Sequence, residues 1–241
     1  METATRRRFI AVALGWSAFS VAGGVRVAAG AAEKRFEGCF LRAMPSGEFL
    51  EGVTLVPSSS DKEADAVCRT AESDLRRLFG VSAELGFFDD GKEPNAFATP
   101  LRRRGVVGTD GTVLLGLRLV AITARRNELN RRWKQRLTAI VAHEWAHILQ
   151  HVRQYRTASY KAAELHADYL AGWFLGRTTP PAGGQAAKDE AMYRFFFLGD
   201  TEYTNPTHHG TPMERVSAIT SGFELAATVD KVDVAFDARR F

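Results

Sequence analysis

The chain has 241 residues, of which 45% are hydrophobic and 25% are charged, an ordinary composition for one globular domain or for one domain with an appendage. The formal charge of +4 is concentrated at the N-terminus, because residues 1–32 hold four of the 32 basic residues and one of the 28 acidic residues. The remaining residues carry a net charge of only +1, so the basic excess gives little support for nucleic-acid binding, and we expect no nucleic-acid partner.

Residues 1–32 have the layout of a targeting segment. Arginines at positions 6–8 precede an apolar run over residues 11–27, and small residues follow at 28–32. The Arg-Arg-x-Phe pattern resembles a twin-arginine signal, which carries a folded protein across a membrane. An uncleaved anchor is the alternative, but three glycines and Arg26 keep the apolar run below the roughly 20 residues of a spanning helix. We predict an exported protein, periplasmic or secreted, whose functional domain comprises residues 33–241.

Export bears on the two cysteines, Cys39 and Cys68. In an oxidising compartment they could form a disulfide. The alternative is that both are unpaired, with Cys68 on the apolar face of a predicted helix. The sequence leaves both possibilities open.

The first half of the domain contains one clear helix signal and several strand signals. Capping residues at 58–61 precede a helical pattern that should end at Gly80, and residues 81–88 form a plausible strand. A second strand candidate lies at 94–98. Residues 111–120 are rich in β-forming side chains, so we predict a strand there, the edge of a small sheet to which a peptide could add. A buried helix or a core strand is the alternative for residues 111–120.

The second half is predicted to be mainly helical. Apolar residues recur at helical spacing from about 130 to 155, which predicts one long amphipathic helix, and a second helix is expected from about 160 to 175. Residues 178–185, with two prolines and two glycines, are predicted to form a loop. The basic run at 125–136 favours a solvated helix face over an anion-binding or membrane-surface patch.

The first of these helices carries an H-E-x-x-H motif, formed by His143, Glu144 and His147. Positions four apart share one face of a helix, so both imidazoles can reach one metal ion. A zinc ion held in this way keeps a position open for water, and the intervening glutamate can take the proton of that water. From composition alone, the expected number of chance matches to this motif is roughly 0.02 per chain of this length. Two histidines without a metal remain the alternative.

A metal site of this kind needs a third protein ligand. His151 lies eight residues beyond His143, about 12 Å away along a straight helix, which is too far for a shared ion. A third histidine after a glycine turn, as in metzincins, is excluded, because Arg153 occupies the expected position. Glu164, on the next predicted helix, is the better candidate.

The helix of Glu164 offers a further support for the metal site. Asp168 follows Glu164 by one turn and could accept the second ring N–H of a metal-bound histidine. His166 is expected to point elsewhere on the same helix and not to be a ligand.

Together these residues resemble the gluzincin zinc metallopeptidases, the group that includes thermolysin. The resemblance extends to their small bacterial neutral members and to soluble relatives of the CAAX-prenyl and heat-shock endopeptidases. Four stretches carry it: the Asn-Ala-Phe-Ala segment at 95–98, H-E-x-x-H-x-x-Q at 143–150, E-L-x-A-D-x-x-A-G at 164–172 and H-G-T-x-x-x-R at 209–215. With gaps, the resemblance covers residues 94–223.

The resemblance implies a zincin-like α+β fold, with a small mixed sheet flanking the motif helix and the glutamate helix packed against it. It also implies one zinc ion per chain. The implied roles are zinc ligands for His143, His147 and Glu164, general base for Glu144, and orientation of the ligands for Asp168.

Downstream, the resemblance implies that a histidine stabilises the oxyanion of the tetrahedral intermediate, a role that requires a donor aimed where charge develops. His209 fits the motif and His208 is a close rival, while a polar surface loop is the alternative for the pair. Arg215 is expected to anchor this loop or to assist electrostatically.

The sequence therefore predicts an exported zinc metalloendopeptidase that acts on a protein or peptide substrate. The segment between the motif and Glu164 is short for the membrane-type relatives, and their flanking transmembrane helices are missing, so we expect a compact variant with no membrane span in the mature chain. A zinc-stabilised envelope protein that binds without turnover is the main alternative, and a metal-free structural domain is the second.

Overall fold

Seven helices and one three-stranded sheet make up the part of the chain that the computed structural model describes, namely residues 54–92, 94–125, 132–157, 159–196, 208–239 and 241. The α+β prediction is confirmed at this level. In chain order the elements are α1 (Lys62–Phe79), β1 (Ala83–Phe88), β2 (Ala96–Thr99), β3 (Gly111–Gly116), α2 (Leu117–Thr123), α3 (Trp133–Val152), α4 (Tyr160–Thr178), α5 (Pro181–Phe196), α6 (Pro212–Leu225) and α7 (Val232–Asp237).

Helix α1 begins and ends where local signals predict. The Asp61 side chain accepts hydrogen bonds from the amides of Glu63 and Ala64, which satisfies two of the free N–H groups at a helix start. Gly80 ends the helix in the left-handed region, with φ of 68°, a conformation that glycine adopts without steric cost. The buried stripe of this helix consists of Ala64, Cys68, Ala71, Leu75 and Phe79.

The sheet is mixed and has the order β1–β3–β2. Strand β3 pairs in parallel with β1 and antiparallel with β2, and all six of its residues are buried. The prediction that residues 111–120 form an edge strand is therefore wrong, because β3 lies in the centre of the sheet. Within the described residues, β2 lies at the edge next to α3.

The predicted strand over residues 111–120 is also too long, since it stops at Gly116. The Asp90 carboxylate accepts hydrogen bonds from the amides of Arg118 and Leu119, at 2.7 and 3.0 Å, and so caps the first turn of α2. A side chain at Gly116 would overlap Asp90, so the close approach requires glycine. The turn into α2 is thus set by a residue 26 positions earlier in the chain.

Helix α3 is more deeply buried than an amphipathic surface helix. Every residue from Ala139 to Gln150 is buried, because α1, α4, α5 and the sheet all pack against it. The helix begins at Trp133 and ends at Val152, somewhat inside the predicted bounds. Its motif residues are consequently held in the core of the protein, and the amphipathic prediction is wrong for this stretch.

Helices α4 and α6 approach each other unusually closely. A Cβ atom at Gly172 would overlap the carbonyl oxygen of Ile219, and one at Gly222 would overlap that of Tyr169. Glycine at both positions lets the two main chains touch. This contact places the second half of α6 against the middle of α4.

The predicted loop at 178–185 is largely helical, so this prediction is wrong. Helix α4 continues to Thr178, and α5 begins at Pro181. Proline is favoured in the first turn of a helix because it has no N–H to leave unpaired, so this proline starts a helix instead of marking a loop.

Several sequence predictions concern residues outside the described ranges. These include the leader at 1–32, Cys39 and residues 126–131 within the basic run at 125–136. Cys68 is a free, buried thiol in α1. No helix of the described residues combines the length and apolar character needed to cross a membrane.

Candidate metal centre

Helix α3 brings His143 and His147 into contact. They are one helical turn apart, and their Nε2 atoms lie 3.2 Å from each other, with the rings in an edge-to-face arrangement. Both residues are buried, with exposed fractions of 3% and 0%. The two imidazoles therefore present their Nε2 atoms to a common point inside the protein.

Helix α4 adds Glu164 at this point. Its Oε1 atom lies 3.3 Å from Nε2 of His147, and its Oε2 atom lies 3.4 Å from Nε2 of His143. Glu164 is completely buried, and neither oxygen makes a hydrogen bond within the described residues. Burial alone would raise the pKa of Glu164, but the two adjacent imidazoles hold it well below its ordinary value.

The spacing of these atoms fits a tetrahedral metal ion. Ligands bound at about 2.0–2.1 Å to a tetrahedral centre lie about 3.3 Å from one another. Each Nε2 atom lies at about this distance from the other Nε2, at 3.2 Å, and from one of the two oxygens of Glu164, at 3.3 Å for His147 and 3.4 Å for His143. Without a cation, two ring nitrogens and two carboxylate oxygens would face each other in the core, which is costly.

Each imidazole has a polar group close to its other nitrogen. Oδ1 of Asp168 lies 2.8 Å from Nδ1 of His143, and Oε1 of Gln150 lies 2.9 Å from Nδ1 of His147. These acceptors favour a proton on Nδ1 and leave the lone pair on Nε2, as metal binding requires. Asp168 therefore lies next to His143, where the orienting role that the sequence suggests for it would require it.

Arg215 reaches Asp168 from α6. Its Nε and Nη2 atoms each donate a hydrogen bond of 2.7 Å to a different oxygen of the carboxylate, and Nη2 lies 3.8 Å from Oε2 of Glu164. Arg215 is 2% exposed and Asp168 is fully buried. The close packing of α4 against α6 makes this bidentate pair possible, and the pair fixes the carboxylate that contacts His143.

Glu144 lies on α3 between the two histidines and is 2% exposed. Burial raises the pKa of Glu144 to about 7, against the opposing effect of the two imidazoles. Its Oε2 atom has no hydrogen-bond partner within the described residues. A carboxylate with a pKa close to neutral is suited to accepting and releasing a proton.

The histidine pair before α6 is partly embedded in the structure. His208 is buried, while His209 is half-buried, with its Nε2 atom 3.3 Å from the hydroxyl of Tyr160. Tyr160 is the first residue of α4, one turn before Glu164 on the same face. His209 therefore lies in an irregular segment before α6 and contacts the glutamate helix through Tyr160. Sequence reasoning gave no role to Tyr160, although its position four residues before Glu164 places both residues on one face of a helix.

The two histidines rejected as ligands differ in their surroundings. His151 is exposed on the last turn of α3. His166 is fully buried, with Nδ1 3.1 Å from Nε2 of Gln150 and Nε2 3.0 Å from the carbonyl oxygen of Phe236. Sequence reasoning gave no role to Gln150 or His166. The signal for Gln150 was its position three residues after His147, within reach on the same face.

Within the described residues, His143, His147 and Glu164 form the group that could hold a metal ion. A scan against models of protein families found no match to this chain. Searches of curated proteins and of solved structures also found none. The geometry of the three ligands and of the residues around them is therefore the basis for a functional assignment.

Proposed function

We propose that the protein is an exported zinc-dependent metalloendopeptidase with a zincin-like fold. The observation that carries the proposal is the convergence of two imidazoles and one carboxylate at 3.2–3.4 Å, with a further buried carboxylate, Glu144, between the imidazoles on the same helix. Export is predicted from the leader at residues 1–32. Because the leader lies outside the described residues, export stays a prediction.

The donor set favours zinc. Two histidines and one glutamate form a ligand set of catalytic zinc sites, in which three protein ligands leave the fourth position for water or substrate. When bound, zinc would polarise the scissile carbonyl and lower the pKa of water. Four-ligand structural sites, in contrast, are most often built with cysteine, and Cys68 is not part of the ligand group.

The chain's own residues would divide the remaining work. Glu144 would accept a proton from the attacking water and then deliver it to the leaving amine. Asp168, held by Arg215, and Gln150 would keep the two ligand imidazoles in the correct tautomer and orientation. His209 would donate a hydrogen bond to the oxygen on which negative charge develops, with Tyr160 holding its ring.

A protein or peptide substrate would be bound through the sheet edge next to α3. The edge that we expected from residues 111–120 is instead provided by β2. An extended peptide can add to an edge strand through main-chain hydrogen bonds, which do not depend on substrate sequence. All four residues of β2 are buried, so strand addition requires that its outer edge become accessible.

The test is hydrolysis of an unfolded casein by the zinc-loaded protein and by the Glu144→Gln variant. Loss of a general base should lower the rate by about 10²–10⁴-fold, while zinc stoichiometry stays at one per chain. Glu63→Gln, at an exposed position in the first turn of α1, is the matched control and should retain full activity. Equal rates for the Glu144→Gln variant and the wild type would contradict the proposal.

The burial of the centre favours a second candidate, a zinc-stabilised binding protein without turnover. Glu164 and His147 have no exposed surface, and Glu144 is only 2% exposed, as expected of a closed structural site. For such a protein, removal of zinc should unfold the domain, and the Glu144→Gln variant should behave as the wild type does in every assay.

A further inference from the structure

A chain of buried hydrogen bonds leads from the ligand His147 to the C-terminal helix. Nδ1 of His147 lies 2.9 Å from Oε1 of Gln150, and Nε2 of Gln150 lies 3.1 Å from Nδ1 of His166. Nε2 of His166 then lies 3.0 Å from the carbonyl oxygen of Phe236 in α7. The three side chains are buried, with exposed fractions of 0–4%. The chain connects residues that are 89 positions apart in the sequence.

Main-chain carbonyls set the direction of every bond in this chain. A carbonyl can only accept, so the Phe236 oxygen requires the proton of His166 on Nε2, which leaves Nδ1 as an acceptor. Gln150 donates from Nε2 to the carbonyl oxygen of Ala163 at 2.8 Å, which places its Oε1 toward His147. Because Oε1 only accepts, His147 must donate from Nδ1. The lone pair of its Nε2 is then directed to the metal centre.

We propose that His166 is a positioning residue for the metal ligand His147, acting through Gln150, and that helix α7 belongs to the metal centre because it holds His166. A neutral imidazole has one acceptor and one donor on a single rigid ring, which is what a link between the Gln150 amide and a carbonyl oxygen requires. The two ligand histidines would thus be supported separately. His143 depends on α6 through Asp168, and His147 depends on α7.

The packing of α7 supports this role. The ring of His166 is stacked on Tyr155, with centroids 4.1 Å apart and an angle of 7°, and Phe236 packs edge-on against both rings. The Arg153 guanidinium lies over the Phe236 ring at 4.9 Å and pairs with Asp233. The imidazole therefore cannot turn without separating α7 from the ends of α3 and α4.

The inference rests on the proposed metal site but not on hydrolysis, so zinc affinity of the full chain is the measurement. Competition with a chromophoric chelator would give the affinity, and the absorption spectrum of the cobalt-substituted protein would report ligand geometry. Gln150→Leu should weaken zinc binding by about 10–100-fold, and His166→Phe should weaken it by about tenfold and alter the cobalt spectrum. The double variant should bind no more weakly than Gln150→Leu alone, because His166 acts through Gln150.

Trp173→Phe is the matched control. Trp173 lies on α4 and donates a hydrogen bond of 2.8 Å to the carbonyl oxygen of Val229, which precedes α7, so this variant removes a contact that lies outside the hydrogen bonds of Gln150 and His166. It should lower Tm without changing zinc affinity or the cobalt spectrum. If His166→Phe does not fold, Phe236→Leu takes its place. This variant keeps the main-chain carbonyl but loosens α7 and should also weaken zinc binding.

Unchanged zinc affinity and an unchanged cobalt spectrum in the His166→Phe variant would overturn the inference, since His166 would then be a buried histidine with a structural role only. A double variant whose loss equals the product of the two single losses would also overturn it. A wild-type chain that binds no zinc would instead overturn the metal site itself, together with the function that we propose for it.

Discussion

Replacing Arg215 with methionine should destabilise the protein by about 3–5 kcal/mol, the usual cost of removing one partner from a buried ion pair. Asp168 would be left as a charge with no exposed surface, having lost two hydrogen bonds of 2.7 Å. For a domain of this size, about 2–4 °C of Tm corresponds to 1 kcal/mol, so Tm should fall by about 6–20 °C. Zinc affinity should fall by at least about tenfold, because Asp168 would no longer be held against His143.

Thermal unfolding with and without zinc, together with chelator competition, measures both effects. Arg215→Lys should be intermediate, because lysine keeps the charge but cannot make the bidentate contact. Lys161→Met is the matched control. Its ammonium lies 2.9 Å from Oε1 of Glu214, and both side chains are more than a third exposed, so the pair should contribute at most about 1 kcal/mol.

Two results would refute this reasoning. If Arg215→Met lowers Tm no more than Lys161→Met does, the buried pair does not hold the two helices in the way described. If Tm falls while zinc affinity is unchanged, the pair stabilises the fold but Asp168 does not position His143.

Three further predictions concern packing, thiol reactivity and pH. Gly222→Ala should destabilise the protein by about 1–3 kcal/mol or more, since the new methyl group would overlap a main-chain oxygen of α4. Gly184→Ala, whose nearest contact would be an ordinary 3.6 Å, should instead stabilise it by about 0.5–1 kcal/mol in chemical denaturation. Burial raises the pKa of the Cys68 thiol to about 12, so little reactive thiolate is present near neutral pH. In a Cys39→Ser background, maleimide should therefore label Cys68 at least about 100-fold more slowly in the folded protein than in the unfolded protein. Burial acts to raise the pKa of Glu214, but hydrogen bonds from the main chain and from an ammonium group outweigh burial and lower this pKa. The wild type should therefore be more stable than Glu214→Gln above the ordinary carboxyl pKa. This advantage should disappear as the pH falls through the lowered pKa of Glu214.

Sequence reasoning succeeded where a signal is local. The Asp61 cap and the Gly80 terminus define α1 through contacts within one turn, and helical spacing alone placed His143 beside His147. The spacing of Glu164 and Asp168 put both carboxylates on one face of α4, where they meet the two imidazoles.

Sequence reasoning failed where a feature depends on distant contacts. The end of β3 at Gly116 is set by Asp90, and the central place of β3 depends on its pairing with both other strands. The burial of α3 on all sides depends on how the neighbouring helices pack. The series of hydrogen bonds from Gln150 through His166 to α7 involves three helices, and no periodicity in the sequence predicts it.

X-ray absorption spectroscopy of the zinc-loaded chain tests the central claim most directly, because it reports the ligands around the metal. The geometry of His143, His147 and Glu164 predicts one zinc per chain, with nitrogen and oxygen ligands at about 2.0–2.1 Å and the outer-shell scattering of two imidazoles. A sulfur ligand at about 2.3 Å, or fewer than two imidazoles at a stoichiometric zinc, would contradict the account.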